Sequence, residues 1–249
     1  MTLQHTAGNN GALSQCPALI LVGGLGTRLR TAYADGPKVL APVRGRPFLA
    51  YLLNMLADQG LSRVVLCVGY RAKQIEQWLA QQNFGLDIVC SHEEEVMGTA
   101  GALGLAYSRH ARGERVLAMN GDSILELSLC SMWNLHMARG AEATIVLARV
   151  PDTSRYGSVE VNEGGWVTSF SEKRAEGGPG LINGGVYLFE PSVMEQVVGE
   201  RKVSLEREVL PDQLTRGLLA FKSDGYFIDI GVPQDFVRAQ SELKAVVEP

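Results

Sequence analysis

The sequence lacks the features that would direct it into a membrane or onto nucleic acid. No apolar run reaches the roughly 18 residues of a membrane-spanning helix. The N-terminal stretch is polar and has neither the basic nor the apolar segment of a signal peptide. The formal net charge is −4, and no block of lysine and arginine could neutralise the phosphates of a duplex. We therefore expect neither a membrane nor a nucleic acid among its partners.

Cysteine is scarce as well, with four residues and no pair at CxxC spacing. Cys67 and Cys90 lie in apolar, strand-like runs, where a buried free thiol is the usual state. The pattern is typical of a protein of the reducing cytoplasm.

Short apolar runs alternate with helical periodicity in the first half of the chain. The spacing predicts strands at 17–22, 63–69, 86–90 and 115–120, and helices at 48–59, 72–82 and 98–109. This alternation indicates an α/β fold, with a Rossmann-like mixed, mostly parallel sheet flanked by helices on both faces. Ligands of such sheets bind at the carboxyl ends of the strands.

The second half has a different character. Strand-like runs at 143–150, 157–161, 166–171, 182–189 and 219–229 are separated by glycine-rich turns, and a helix is predicted at 233–245. We expect a smaller, hairpin-rich lobe here. The predicted organisation is a flexible arm at 1–15 and one domain at 16–249, whose halves are 16–140 and 141–249.

A glycine loop follows the first predicted strand. Gly23, Gly24 and Gly26 would let backbone N–H groups approach a polyphosphate, and the start of a following helix would add donors. Thr27 and Arg28 come next, but neither GxGxxG nor GxxxxGK[ST] is matched. An ordinary tight βα turn is the alternative interpretation.

A second cation, Lys38, follows Pro37 nine residues after the glycine loop ends at Leu29. Arg28 can bind phosphate oxygens in pairs, whereas lysine is a compact point charge. A lone Pro-Lys pair is usually surface, so the prediction depends on the neighbouring glycine loop.

The segments GGLGTRL, PK and GRP together resemble the signature of the sugar-1-phosphate nucleotidyltransferases, and the resemblance runs from residue 18 to residue 236. Residues 30–35 depart from the common Pro-Leu-Thr and are similar to the branch acting on D-glycero-D-manno-heptose 1-phosphate with GTP. Arg46 replaces the commoner lysine of GKP. The resemblance implies magnesium-dependent joining of a nucleoside triphosphate (NTP) to a sugar 1-phosphate, with release of pyrophosphate.

Two carboxylates are candidates for the metal. Asp122 follows a predicted strand and Gly121, which leaves room for a ligand, and it matches the aspartate that the family uses to bind Mg²⁺. Asp229 lies in a segment similar to the family's later W-x-D-x-G. The alternative for Asp122 is a helix N-cap or turn residue.

The acidic triplet before Gly98 lies where the family reads the nucleobase. Counting back from Gly98, Glu93 occupies the base-reading position, with Glu95 as the alternate. A carboxylate accepts both N1–H and N2–H₂ of guanine, whereas an amide suits uracil or thymine. This favours GTP, although an acidic triplet is also typical of a solvated loop.

Three further segments resemble the family's sugar-phosphate pocket, and each alone would be interpreted as a turn or strand edge. Their candidate binding residues are Tyr156, Gly157, Glu172, Lys173, Asn183 and Gly184. Residues 204–208, SLERE, start like a capped helix that Pro211 ends, and we assign them no chemistry.

The predicted reaction gives an NDP-sugar for cell-surface polysaccharide, with heptose 1-phosphate and GTP as the favoured pair. The attacking phosphate is already anionic, so no general base is needed. Mannose, glucose or an N-acetylated sugar 1-phosphate stay open, as do UTP and dTTP. Two other classes of protein also stay open: a glycosyltransferase and a non-catalytic regulatory homologue that binds NDP-sugar. The sequence does not determine the oligomeric state, and a homo-oligomer is one of the open states.

Overall fold

A computed structural model describes residues 10–24, 26–171, 177–199 and 202–243. The helices are α1 (Asn10–Gln15), α2 (Phe48–Asp58), α3 (Ala72–Leu79), α4 (Gly98–His110), α5 (Leu129–Arg139), α6 (Pro191–Met194), α7 (Leu210–Arg216) and α8 (Pro233–Glu242). Short 3₁₀ turns form at Lys38–Leu40 and Glu195–Val197, and a π-helical turn at Leu205–Val209.

The strands are β1 (Ala18–Leu21), β2 (Pro42–Val43), β3 (Arg46–Pro47), β4 (Arg63–Val68), β5 (Asp87–His92), β6 (Val116–Asn120), β7 (Ser123–Leu125), β8 (Ala143–Val150), β9 (Ser158–Val161), β10 (Val167–Ser171), β11 (Gly180–Phe189), β12 (Leu218–Ser223) and β13 (Phe227–Asp229). Seven of them form the central sheet in the order β12-β8-β11-β6-β1-β4-β5. Three two-stranded pairs, β10-β9, β13-β7 and β2-β3, complete the strands described.

The central sheet is mixed, as the sequence predicts. Strands β1, β4, β5 and β6 run parallel, whereas β11 is antiparallel to both β6 and β8. Apolar side chains of β1 are buried because helices cover both faces, and separate apolar clusters fill the two sides of the sheet. Because β1 and β6 pair in parallel, with Leu21 opposite Asn120, the loops that follow them lie side by side.

The predicted strand at 219–229 is wrong, because the structure divides it into β12 and β13. A Cβ on Gly225 would lie 2.2 Å from the Glu126 carbonyl oxygen, so glycine permits a close approach that turns the chain here. Strand β13 then pairs with β7, with Asp229 opposite Ser123. This pairing brings Asp229 beside Asp122.

The expected flexible arm at 1–15 overlaps ordered structure. Its last six residues form α1, Leu13 is only 3% exposed, and the Ser62 hydroxyl donates a hydrogen bond of 2.6 Å to the Ser14 carbonyl. The folded part therefore begins before Cys16, because an apolar side chain of this stretch is buried.

The helix predicted at the SLERE segment forms, but it does not end at Pro211. Ser204 caps a π-helical turn, which continues directly into α7. Pro211 lies in the first turn of α7, where a missing N–H costs little. Within the described residues, no helix combines the length and the apolar character needed to cross a membrane.

Candidate active site

A cavity of about 440 Å³ opens at the carboxyl ends of β1 and β6, where the fold predicts a ligand. Its lining contains two cations and three acids together with glycines and apolar side chains. The lining residues include Gly23, Gly24, Arg28, Lys38, Cys67, Glu93, Gly98, Thr99, Asn120, Asp122 and Glu206. The structure therefore brings the predicted phosphate-binding, base-reading and metal-binding residues to one place.

The glycine loop is packed closely against the rest of the site. A Cβ on Gly23 would lie 3.0 Å from the Gly69 amide nitrogen and 3.1 Å from Glu93 Oε1. Gly26 has a φ of +58°, and its missing side chain leaves room for the Lys38 stem. The helix expected after the loop does not form, because residues 27–30 fold into turns in which Leu29 N–H donates to the Gly26 carbonyl. The backbone donors expected from a following helix are therefore not supplied, and the predicted phosphate contact is left to the N–H groups of the loop itself.

Side chains at the loop differ in position. Arg28 lines the cavity and is exposed, so its guanidinium is free to move toward an anion. Thr27 is exposed next to it. Gly121 is buried, and a Cβ there would lie 2.6 Å from the Leu21 carbonyl oxygen. Gly121 therefore permits β1 and the Asp122 loop to approach each other.

Lys38 lies between the two predicted metal-binding carboxylates. Its Nζ is 2.5 Å from Asp122 Oδ2 and 3.9 Å from Asp229 Oδ1. The sequence predicts a phosphate-binding role for this lysine, whereas the structure shows it as the counter-ion of the carboxylate pair. A cation is held where the two negative charges meet.

Asp229 is the more confined member of the pair. Its Oδ1 accepts a hydrogen bond of 2.5 Å from the Gly231 amide, and the Ile230 amide donates to the Asp122 carbonyl at 2.9 Å. Burial and the negative charge of Asp122 raise the pKa of Asp229, against the opposing charge of Lys38. The positive charge of Lys38 therefore favours the ionised form of Asp229.

Glu93 faces the cavity from the end of β5, whereas Glu94 and the alternate Glu95 are exposed. Its Oε2 accepts a 3.1 Å hydrogen bond from the Met97 amide, which fixes the carboxylate against Gly69. Burial raises the pKa of Glu93, and the Met97 amide opposes the shift. The acidic triplet is therefore not uniformly solvated.

Gly98 begins α4 at a φ of +73°, and a Cβ there would lie 2.5 Å from the Val203 carbonyl oxygen. A glycine is required at this position because both the backbone angle and the close approach exclude a side chain. The loop predicted to read the base is thereby held against the segment that leads into α7.

The sugar-side candidates that the structure describes are not among the lining residues of this cavity. Tyr156 is half-buried, packs edge-on against Phe227 at 5.7 Å, and burial raises its pKa to about 12. Gly157 is buried with a φ of +80°. Glu172 and Lys173 lie outside the described residues.

Asn183 and Gly184 lie on β11, beside the loops of β6 and β7. The Asn183 side-chain amide donates to the Tyr187 hydroxyl at 2.7 Å, and its Oδ1 accepts from the Gly185 amide at 2.9 Å. A Cβ on Gly184 would lie 2.6 Å from Leu125 Cδ2. Asn183 therefore shapes the strand in this state, and Gly184 lets it pack closely.

Sequence reasoning missed several residues of the cavity, notably Cys67, Thr99, Asn120 and Glu206. Asn120 immediately precedes the predicted Gly-Asp pair, which was a usable signal. Glu206 lies in the SLERE segment, and its local pattern indicates only a helix cap. Its position in the cavity depends on long-range packing.

Comparison with known proteins finds relatives that match most of the chain. Residues 17–246 match the family described as Nucleotidyl transferase. The chain is 38% identical over 228 residues to D-glycero-alpha-D-manno-heptose 1-phosphate guanylyltransferase of Aneurinibacillus thermoaerophilus, covering 91% of this chain and 98% of that protein. It is 38% identical to mannose-1-phosphate guanylyltransferase catalytic subunit beta of Drosophila melanogaster, and there it spans only 63% of the relative's length.

Solved structures agree with this result. HddC from Yersinia pseudotuberculosis superposes with a TM-score of 0.82 at 32% identity, over 92% of this chain and all of that one. The same protein has also been solved in complex with GMP-PN. The resemblance carried by the glycine loop and its partners is thereby confirmed, and this chain belongs to the nucleotidyl transferase family.

Proposed function

We propose that this protein transfers a guanylyl group from GTP to a heptose 1-phosphate in the cytoplasm. The products would be GDP-heptose, for cell-surface polysaccharide, and pyrophosphate. The observation that carries the proposal is one cavity lined by Glu93, Lys38 and Asp122, with Asp229 paired to Lys38 beside it. The names of the heptose 1-phosphate guanylyltransferase relative and of the HddC complex with GMP-PN support the choice of substrates.

Guanine recognition is assigned to Glu93. Its carboxylate is fixed by the Met97 amide and packs against Gly23 and Gly69, so it is oriented before a base arrives. Two acceptor oxygens match the N1–H and N2–H₂ donors of guanine, whereas the edge of uracil or thymine places acceptors there. GTP is therefore the favoured triphosphate.

A divalent metal fits the carboxylate pair. Mg²⁺ prefers oxygen ligands, and the Asp122 and Asp229 oxygens already converge on one positive charge, the Lys38 ammonium. Among the described residues, no group of three or more His, Cys, Asp or Glu side chains could hold a metal. Two carboxylates with substrate phosphates and water as remaining ligands is the usual arrangement for Mg²⁺. Bound there, Mg²⁺ would neutralise charge on the triphosphate.

The chain's own groups supply binding and charge. An oxygen of the sugar phosphate attacks the α-phosphorus in line, a new P–O bond forms, and the bond to the β-phosphate oxygen breaks as pyrophosphate leaves. The glycine-loop amides, Arg28 and Lys38 stabilise the negative charge that develops. Because the phosphate monoester is already anionic, no side chain needs to remove a proton.

The second substrate is assigned to the sugar-side candidates. We place the sugar 1-phosphate near Tyr156, Gly157, Glu172, Lys173, Asn183 and Gly184, with Lys173 as the phosphate contact. The Asn183 side chain already bonds to Tyr187 and Gly185 within β11, and its second amide N–H is the donor proposed for a sugar hydroxyl.

A matrix assay tests the proposal. Purified protein is mixed with each of the four NTPs and with heptose, mannose, glucose and N-acetylglucosamine 1-phosphates, and pyrophosphate release is measured with MgCl₂ or with EDTA. We expect the highest kcat/KM for GTP with heptose 1-phosphate, and no turnover in EDTA. Turnover in EDTA would contradict the metal assignment, and a preference for UTP or dTTP would contradict the role of Glu93.

Mannose 1-phosphate is the second candidate acceptor. It is favoured by the 38% identity to the Drosophila mannose-1-phosphate guanylyltransferase subunit. The same assay separates the two, because a higher kcat/KM for mannose 1-phosphate would replace heptose while leaving the guanylyl transfer intact.

A further inference from the structure

Glu206 is a cavity residue without a part in the reaction described above. It lies in the π-helical turn Leu205–Val209, and its exposed side chain lines the same cavity as Glu93 and Asp122. π-helical turns are rare and are frequently found at functional sites. The position therefore merits a functional explanation.

The segment before Glu206 is fixed to the start of α4. The Val203 amide donates to the Met97 carbonyl at 2.9 Å, and the Ala100 amide donates to the Val203 carbonyl at 3.0 Å. The Leu205 amide donates to Thr99 Oγ1 at 2.8 Å. Glu206 is thus held beside Gly98 by hydrogen bonds on both sides of that glycine.

The two oxygens of the Glu206 carboxylate have different surroundings. Oε2 accepts from the hydroxyls of Thr99 at 2.9 Å and Ser204 at 3.2 Å. Because Thr99 accepts from Leu205, its hydroxyl proton is directed at Glu206. Oε1 accepts no hydrogen bond from the residues that the structure describes, so one oriented oxygen is left for a ligand.

The charge of this oxygen restricts the ligand. A carboxylate repels phosphate and accepts from neutral donors such as hydroxyls. Asp122, the proposed metal ligand, lines the same cavity, so the two carboxylates face one space. Substrates with hydroxyls on rings occupy this space if the proposed function is correct.

We propose that Glu206 binds a ring hydroxyl of a substrate and thereby selects for it. This rests on the proposed function. The hydroxyl belongs either to the ribose of GTP or to the ring of the sugar 1-phosphate, which offer the same donor chemistry. Glu206 is in this role a specificity residue of the nucleotidyl transfer.

The test compares Glu206→Gln with Glu208→Gln. Both variants lose one negative charge in the same π-helical turn. In Glu208→Gln the new side-chain amide oxygen can still accept from the Ser204 backbone amide, as the Glu208 carboxylate does at 2.8 Å. In Glu206→Gln the single amide oxygen is retained by Thr99 and Ser204, so an NH₂ group faces the cavity. A charged acceptor is therefore replaced by a donor.

Values of kcat/KM are measured for GTP, 2′-deoxyGTP and 3′-deoxyGTP, and for the sugar 1-phosphate and its 2-deoxy analogue. We expect Glu206→Gln to lose roughly tenfold with the substrate whose hydroxyl is bound, as for a hydrogen bond to a charged group, and nothing with the analogue lacking it. Selective loss among the GTP analogues assigns the ribose, and selective loss among the sugar phosphates assigns the sugar. Glu208→Gln should resemble wild type.

Equal loss with every substrate and analogue, or no loss, would overturn the inference. If Glu206→Gln fails to fold, Glu206→Asp takes its place in the test. Its shorter side chain keeps the charge but moves the carboxylate oxygens back from the cavity, and we expect the same selectivity. Inactivity of the wild-type protein with every pair of substrates would instead overturn the proposed function, and this inference with it.

Discussion

At the scale of single residues, Lys38 joins the two halves of the site. Its ammonium neutralises Asp122 and Asp229, and only 11% of its side chain is exposed. In the proposed function the same charge would lie beside the triphosphate. Lys38 would then combine a structural role, seen in its contacts with the two carboxylates, with a proposed catalytic one.

Lys38→Ala should lower kcat by about 10²–10³-fold, as expected when one preorganised charge is removed from a developing anion. Asp122→Ala should lower turnover by orders of magnitude as well, because a metal ligand is lost. Pyrophosphate release measures both effects, and circular dichroism should show an intact fold. Lys222→Ala, at an exposed position on β12, is the matched control. Near-wild-type turnover in either site variant would contradict the assignment.

Many residues of the site could be predicted because their signal is local. The glycine loop and Asp122 each follow an apolar run, and parallel strands place such positions at one edge of a sheet. Glu206 carried no such signal, because its approach to Thr99 depends on contacts between segments about a hundred residues apart. The pairing of Lys38 with Asp122 was also missed, since spacing does not determine side-chain direction.

At the scale of elements, Gly98 determines how α4 meets the segment leading to α7. A side chain there must adopt a φ of +73° and also displace the Val203 carbonyl, which would be 2.5 Å from its Cβ. Thr99 and Glu206 would move with it.

Gly98→Ala should therefore destabilise the protein by about 2–4 kcal/mol, since it adds steric displacement to left-handed backbone strain. Gly140→Ala isolates the strain, because Gly140 has a φ of +56° and open space around its missing side chain. That variant should lose only about 1 kcal/mol. Urea unfolding measures both, and equal losses would show that the Val203 contact is not restrictive.

Seven helices and strands of the first half were predicted to within a few residues because their hydrophobic periodicity is strong. The short strands β2, β3 and β7 and the helix α5 were not predicted, and the helix expected after the glycine loop does not form. The two elements of the second half that differed have physical reasons. Residues 219–229 are apolar enough for one strand, but Gly225 turns the chain against Glu126. A proline such as Pro211 ends a helix when it lies in the interior but is tolerated in the first turn. The sequence pattern alone does not distinguish these two positions.

At the scale of the whole molecule, the mixed sheet has a second buried polar cluster at the end opposite the cavity. His136 is 1% exposed, with Nδ1 2.7 Å from Thr144 Oγ1 and Nε2 2.9 Å from Glu190 Oε1. Arg115 donates to the same Glu190 oxygen at 2.5 Å. Burial would raise the pKa of Glu190, but the bonds from Arg115 and His136 outweigh it and lower the pKa.

Burial lowers the pKa of His136 despite the hydrogen bond and the charge of Glu190, which oppose the shift. The folded protein therefore resists protonation of this ring more than the unfolded chain does. The neutral ring contributes its full stabilisation at pH values above the ordinary histidine pKa of about 6.5. This stabilisation decreases as the pH falls from there to the lower pKa of the folded state. In that window the free energy of unfolding should decrease by up to about 1.4 kcal/mol per pH unit from this residue.

His136→Gln removes the titrating ring and keeps a donor and an acceptor for Glu190 and Thr144. We expect its free energy of unfolding, measured in urea at pH 7.5 and at pH 5, to decrease less over this interval than that of wild type. His110→Gln, at a half-buried histidine in the last turn of α4, should keep the wild-type difference. If His136→Gln kept that difference as well, the ring would not resist protonation, and acid sensitivity would have to come from the carboxylates. Because the cluster lies at the far end of the sheet, kcat at pH 7.5 should be unchanged in this variant.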